Sequence, residues 1–252
     1  MRRALLVLAA CAILGPNSAS AQAWYDSILP ERSFDFGTVF ARWPELLNGC
    51  LLTLQLSLLA MPITLGLAII CVFILQLRDR FSTWLIEGFV ELVRNTPFLV
   101  QIFFLFFGLP SVGVRLEPNV AAVIALGLNG AAYSIEILRG GVDAISRGQL
   151  EAGFALGLRP AQIFRYIILK PALRAVYPAM TSQFIFLMLT SSICSSITAR
   201  ELTHVGAEIE GETFRSFEVY FTVAALYLVM SYGLSKLFAL IYRLSFSYPL
   251  AR

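Results

Sequence analysis

The sequence predicts an all-α integral membrane protein of about five transmembrane helices, and three observations carry that reading. The 252 residues are 58% hydrophobic and only 14% charged, against about a quarter charged in soluble domains. Mean hydropathy is +0.76, more apolar surface than a chain of this size can bury from water. Two long runs, Leu46 to Leu77 and Ala175 to Ala199, hold no charge, and neither do the shorter Phe98 to Val114, Pro118 to Ile135 and Val219 to Ser235. About 20 helical residues cross a bilayer core, so the first two runs suffice alone and the others suffice with adjoining turns.

The N-terminus reads as a signal peptide over 1–23. Arg2 and Arg3 form the positive region, Ala4 to Leu14 the short apolar core, and Ala19-Ser20-Ala21 and Ala21-Gln22-Ala23 offer small-residue cleavage sites. An uncleaved anchor is the alternative. Both put Trp24 onward outside, where an external segment 24–48 holds Trp24, Tyr25, Phe34, Phe36 and Trp43 for the interface. Helix 49–75 then runs inward to a turn at Arg78-Asp79-Arg80, and helix 84–109 runs out to a loop with Pro110 and Pro118. Helix 119–136 returns inward, 137–174 is cytoplasmic, helix 175–198 goes out, 199–216 is an outer polar loop, and helix 217–237 leads to a cytoplasmic tail at 242–252.

Charge placement tests this threading independently. The inner segments carry eleven basic residues, among them Arg78, Arg80, Arg139, Arg147 and Arg165, whereas the outer loops after the second and fourth helices carry only Arg115, Arg200 and Arg215. This is the positive-inside bias, with the N-terminus out and the C-terminus in. The four cysteines lack metal-ligand spacing and read as small buried hydrophobes. His204, the single histidine, reads as solvated in the outer loop.

The cytoplasmic segment is the most informative stretch. From Gln149 to Leu156 it predicts a short helix with Leu150, Phe154 and Ala155 on its apolar side. Gly157 interrupts that helix, because glycine takes the left-handed geometry that ends one. Pro160 suits the first turn of a second helix, which runs to about Leu169 and exposes Ile163, Phe164, Ile167 and Ile168. Two such helices beside a membrane pack either on a partner or on their own bundle.

Glu151-Ala152, Gly157, Ile167 and Leu169 fall on the spacing Glu-Ala-Ala, three residues, Gly, nine residues, Ile-x-Leu-Pro. The stretch resembles the coupling loop of ABC importer permeases. Gly153 replaces the second alanine, which loosens the first helix by up to about 1 kcal/mol, and Lys170 takes the proline position, with Pro171 one step later. Around it, LLTLQLS (Leu51 to Ser57), ELVRNTPFLVQIFFLFFGLP (Glu91 to Pro110), GLNGAAYSIEILRGGVDAI (Gly127 to Ile145), REL (Arg200 to Leu202) and TFRSFEVY (Thr213 to Tyr220) are similar to the polar amino acid uptake branch, the histidine, glutamine and glutamate-type permeases. The likeness covers about residues 45–240.

That resemblance implies the type I ABC importer permease fold, with Glu151, Ala152, Gly157, Ile163, Ile167 and Leu169 in the ATPase-coupling element. It implies a second permease subunit, two copies of a cytoplasmic ATPase, a periplasmic substrate-binding protein and an amino acid substrate, in a bacterial inner membrane. ATP and Mg²⁺ would be used by the partner ATPase, with no cofactor on this chain and no nucleic acid. Leu189 and Thr190 stand where many relatives carry lysine beside Asp or Asn, so neither substrate contact nor substrate charge carries over from that pair.

Residues for a gate or pathway follow from polarity inside apolar helices. Glu87, Glu91 and Arg94 share one face, either holding a gate or lying on an interfacial helix from which Arg94 snorkels. Glu136 and Arg139 mark the exit of the third helix, Gln101 and Asn129 are buried amides, and Ser191, Ser192 and Ser195 form a polar stripe with Thr190 and Ser196. Pro97 should kink the second helix. The chain has no Gly-x-x-x-x-Gly-Lys-Ser/Thr sequence to cradle ATP. Three other classes remain: a membrane enzyme, for which a lone histidine and scattered acids form no triad or metal site; a secondary transporter, which would leave the Glu151 to Leu169 pattern unexplained; and a scaffold or accessory subunit, distinguished by whether transport needs this chain. Opines or other amino-acid-like solutes are the alternative substrate class within the ABC reading.

Overall fold

A computed structural model describes residues 34–77 and 79–245. The signal-peptide expectation, Trp24, Tyr25, Arg78 and the tail from 246 lie outside those residues. A four-residue helix α1 (Gly37–Phe40) precedes α2 (Trp43–Gln76), which starts six residues before the expected 49. Pro44 sits in its first turn, where a missing N–H costs nothing. Phe34 and Phe36 lie against Phe217 and Phe221 of the last helix at 4.9 and 6.0 Å.

The second expected span is two helices rather than one kinked rod. α3 (Arg80–Arg94) and α4 (Phe98–Phe103) meet at 106° across Asn95-Thr96-Pro97. Pro97 removes a donor and also drives Thr96 out of the helical region, so the helix stops instead of bending. α4 continues through a π turn (Phe104–Gly108) and a 3-10 turn (Leu109–Val112).

The central helix α5 (Pro118–Asp143) runs seven residues beyond the expected end. Its small residues let neighbours approach closely. A Cβ on Gly141 would lie 2.9 Å from the carbonyl oxygen of Ala172. After α6 (Arg147–Ala155), α7 (Pro160–Ile163) passes through a π turn (Phe164–Ile168) into α8 (Leu169–Thr190) and a 3-10 turn (Ser191–Ile197). These form one rod, Pro160–Ile197. The expected break between the second loop helix and the span at 175 is absent. Pro171 lies inside that rod just after the π turn, where the hydrogen-bond ladder is already irregular and a missing N–H is accommodated.

The outer polar loop is also corrected: it folds as α9 (Leu202–Thr213), and α10 (Ser216–Ser245) follows. His204 is therefore helical and half-buried, its Nδ1 3.4 Å from the Ser195 carbonyl and its Nε2 3.5 Å from Glu208.

Two core clusters give the direction of each helix. In one, Leu56 and Ala60 of α2 meet Ile102 of α4, Ala121 and Ala125 of α5, and Leu187 near the end of α8. In the other, Val72 of α2 meets Val90 of α3, Leu138 of α5 and Ala172 of α8. So α2 and α5 run parallel, α8 runs against them, and the broken pair α3–α4 must carry the chain from one end of the bundle to the other. Val219 packs with Leu46, and Tyr177 near the start of α8 donates to the Phe238 carbonyl at 2.8 Å. α10 is thus parallel to α2, giving five crossings.

Candidate functional site

The break between α3 and α4 exposes carbonyls that a helix end leaves without partners. Asn95 N–H donates to Glu91 O at 3.0 Å, and the Thr96 hydroxyl donates to Leu92 O at 2.7 Å. The Gln101 amide, one turn into α4, donates to both Val93 O and Thr96 O at 2.8 Å. Its oxygen accepts from Asn129 Nδ2 of α5 at 3.1 Å. The two buried amides expected separately are therefore one unit, which seals a broken helix inside an apolar bundle.

Beside that unit lies a cavity of about 420 Å³, walled by Arg94, Asn95, Pro97, Asn129, Tyr133 and Thr190, with Phe98, Phe186 and Ile193. Below it runs a ladder of alternating charge. Arg94 reaches Glu136 at 3.6 Å and lies over the Tyr133 ring, while Arg139 reaches Glu136 at 3.9 Å and Glu87 at 3.6 Å. Glu87, Arg94, Glu136 and Arg139 thus tie α3 to α5. Glu91 is exposed and stands outside the ladder. All four ladder side chains are 41–50% exposed, so their worth lies in alignment more than in stability.

The serines behave differently from a polar stripe. Ser191, Ser192, Ser195 and Ser196 each donate to the carbonyl three residues back, at 2.7–2.8 Å. Their hydroxyls serve the 3-10 turn, and Ser191 is fully buried.

At the other end, α6 holds Glu151 and Ala152 exposed, with Phe154 and Leu156 59% and 79% exposed. Gly157, at φ +74°, closes it: Gly157 N–H bonds Phe154 O at 2.9 Å and Leu158 N–H bonds Gly153 O at 3.1 Å, the paired bonds of a Schellman end. Gly153 rests on the rod, where a Cβ would sit 2.7 Å from Ile167 Cδ1. Glycine here therefore brings α6 close, a packing reason that the helix-loosening argument did not supply. A groove of about 730 Å³ lies between α6 and the nearby ends of α2, α3 and α5, with Gln76, Arg139, Asp143, Arg147 and Glu151 among its walls. The exposure expected for Ile163, Phe164 and Ile168 is corrected: all three are buried in the core with Val72 and Leu138, while Ile167 and Leu169 are half-buried. A rod that continues into a span must seat its apolar face on the bundle.

Sequence reasoning noted Arg200-Glu201-Leu202 only as a pattern and missed what Glu201 does. Its fully buried carboxylate accepts from the N–H groups of Thr203 and His204 at 3.0 and 2.9 Å and from the Tyr227 hydroxyl at 2.6 Å. Leu202 N–H donates to the Thr53 hydroxyl at 3.1 Å. Glu201 caps α9 and fastens it to α2 and α10. Burial pushes its carboxyl above the ordinary value, against the lowering effect of the Tyr227 and backbone hydrogen bonds. An acid just before an amphipathic helix was the available signal.

The family described as binding-protein-dependent transport system inner membrane component matches residues 60–245. The chain belongs to that family. It is a permease, a non-catalytic membrane-spanning transport subunit of an ABC importer. The permease is 35% identical over 204 residues to the glutamine transport system permease protein GlnP of Escherichia coli K12, covering 80% of this chain and 93% of that one. It is 32% identical over 221 residues to the octopine transport system permease protein OccM of Rhizobium radiobacter, covering 82% and 89%. Its fold superposes on a crystal structure of an amino acid ABC transporter with histidines at TM-score 0.75 and 32% identity, covering 84% of this chain and 99% of that one. The inward-facing MetNI methionine transporter shares the fold at TM-score 0.67 and 22% identity, over 81% and 97%. Among the described residues, no group of three His, Cys, Asp or Glu side chains could hold a metal.

Proposed function

We propose that this permease carries a polar amino acid inward across a bacterial inner membrane, driven by ATP hydrolysis in a partner ATPase. The carrying observation is the polar cavity at the broken helix: Arg94, Asn129, Tyr133 and Thr190 converge where α3 stops and α4 begins. Discontinuous helices are how transporters place polar backbone and side chains at the depth of the membrane. The likeness to the glutamine permease and to the amino acid transporter structure supports that solute class.

A second permease, two ATPase subunits and a periplasmic binding protein complete the assembly on this reading. Glu151 and Ala152 are exposed on α6 and Gly157 is exposed just past its end, a suitable surface for the ATPase, while Ile167, beside Gly153, and Leu169 are half-buried. Ile163 contributes from the core rather than by contact. Because Gly153 packs on the rod that ends at Ile197 beside the cavity, a push on α6 has a continuous helix along which to travel. The excess of basic residues at the α6 end supports a cytoplasmic position for it.

Octopine and nopaline permeases at 32% identity favour one other solute class, the opines. Uptake by vesicles holding permease and ATPase, with the binding protein outside and ATP inside, tests both. Glutamine, glutamate, histidine, arginine, octopine and nopaline form the panel. Uptake of at least one amino acid supports the proposal, uptake of opines alone replaces the substrate class, and uptake of none refutes it.

A further inference from the structure

We propose that Gln101 is a positioning residue for transport, and that Asn129, which it orients, is a specificity-determining residue whose Oδ1 accepts a hydrogen bond from the ammonium group of the transported amino acid. This rests on the reading of the chain as an amino acid permease. Two side-chain amides are oriented in turn, Gln101 by the backbone and Asn129 by Gln101.

Val93 O and Thr96 O are backbone carbonyls and can only accept. Both lie 2.8 Å from the same atom of Gln101, so that atom is the NH₂ nitrogen; the reverse assignment would set an oxygen against two oxygens. The other terminal atom of Gln101 is therefore Oε1. The Asn129 atom 3.1 Å away from it must then be a donor, Nδ2. Asn129 Oδ1 is left over, and it points elsewhere. It makes no hydrogen bond among the described residues, and it is not sealed in among the buried unpartnered atoms. Asn129 is only 8% exposed, and its opening is onto the cavity of about 420 Å³.

The chemistry of that cavity selects the ligand group. No carboxylate lines it, while the Arg94 guanidinium does. The Arg94 guanidinium, paired through one nitrogen with Glu136, has further N–H groups for a substrate carboxylate, while the cavity wall itself offers the ammonium only neutral oxygens. Asn95 is exposed at the break, and the Thr190 hydroxyl turns to suit whatever stands beside it. Asn129 Oδ1 is the acceptor held in place beforehand, and a preset acceptor discriminates where a rotating one does not. Removing the Gln101 donors releases the end of α3 and frees Asn129 to flip, presenting NH₂ to an NH₃⁺ group. Gln101 therefore acts on substrate through Asn129 without lining the cavity itself.

The test is equilibrium binding of radiolabelled L-glutamine and L-arginine to the permease–ATPase complex in nanodiscs, without binding protein. Affinities are counted only on complexes that co-purify with ATPase. Asn129→Leu and Gln101→Leu should each weaken binding tenfold or more. In competition, the wild-type preference for L-glutamine over 4-carbamoylbutanoate, the same molecule without its ammonium group, should shrink at least fivefold in Asn129→Leu, a change that a merely structural role, which weakens both ligands alike, would not produce. Wild-type affinity in both leucine variants, or an unmoved preference for L-glutamine over 4-carbamoylbutanoate in Asn129→Leu, overturns the assignment. So does failure of the wild-type complex to bind either amino acid, and uptake measured with the binding protein present then shows separately whether the amino acid permease reading stands.

Discussion

Replacing Gly157 with valine isolates the docking loop from the membrane bundle. The residue has φ +74°, and a Cβ there would meet no heavy atom within 4 Å. The cost is consequently internal to the residue rather than a clash with neighbours. Holding an L residue left-handed costs roughly 1–2 kcal/mol, and a β-branched one more. Escaping that strain means giving up the bonds from Gly157 and Leu158 to Phe154 and Gly153, about 1 kcal/mol each. Either route costs about 2 kcal/mol, or roughly a thirtyfold shift away from the native turn. On the coupling reading, ATPase recovered with Gly157→Val permease should fall by about tenfold or more, and ATP-driven uptake should fall with it. Membrane-inserted permease should stay near wild type, because the position faces open space. Gly157→Asn is the decisive partner, since asparagine visits the left-handed region readily and should restore most of both signals. Equal recovery of ATPase with the valine and wild-type proteins would refute the reasoning, and so would a valine defect that asparagine fails to relieve. Loss of inserted valine permease would refute the claim that the cost is local.

Three other outcomes follow from the packing and the charges. Glu201 has a raised carboxyl pKa in the folded state, so its protonated form favours folding and its contribution is lost as pH rises from the unfolded value, near 4.3, through the folded one. The melting temperature of Glu201→Gln relative to wild type should therefore rise across that window, and a difference independent of pH between 4 and 8 would remove the argument. Gly141→Ala sets a methyl 2.9 Å from the Ala172 carbonyl and 2.5 Å from Val176, which should cost about 1–3 kcal/mol by overpacking. Gly140→Ala opens onto free space and is the control; thermal unfolding in detergent should separate them, and equal midpoints would mean that α8 yields easily. In a background without native cysteines, a cysteine at Gly211 should react with an impermeant reagent in intact cells while one at Gln162 should not, and reaction at Gln162 would invert the threading.

The membrane class and the number of crossings were legible in the sequence because hydrocarbon imposes a local condition, about 20 residues with no charge. The Gly157 turn was equally legible, since a left-handed helix end needs only the residues that make it. Boundaries such as Trp43 and Asp143 were less so, because a helix can outrun its apolar run wherever neighbouring helices cover it. What tertiary structure alone decided is which polar groups meet. Gln101 and Asn129 stand 28 positions apart, and Glu201 and Tyr227 stand 26 apart; no period in the chain announces either pair. The break at Pro97 became a 106° turn only because Gln101 could satisfy the carbonyls it freed, and Ile163 turned inward because the rod it belongs to continues into a span. A bilayer selects segments by composition, residue by residue, whereas a buried hydrogen bond needs two groups at one place and one orientation. That condition exists only once the helices have packed.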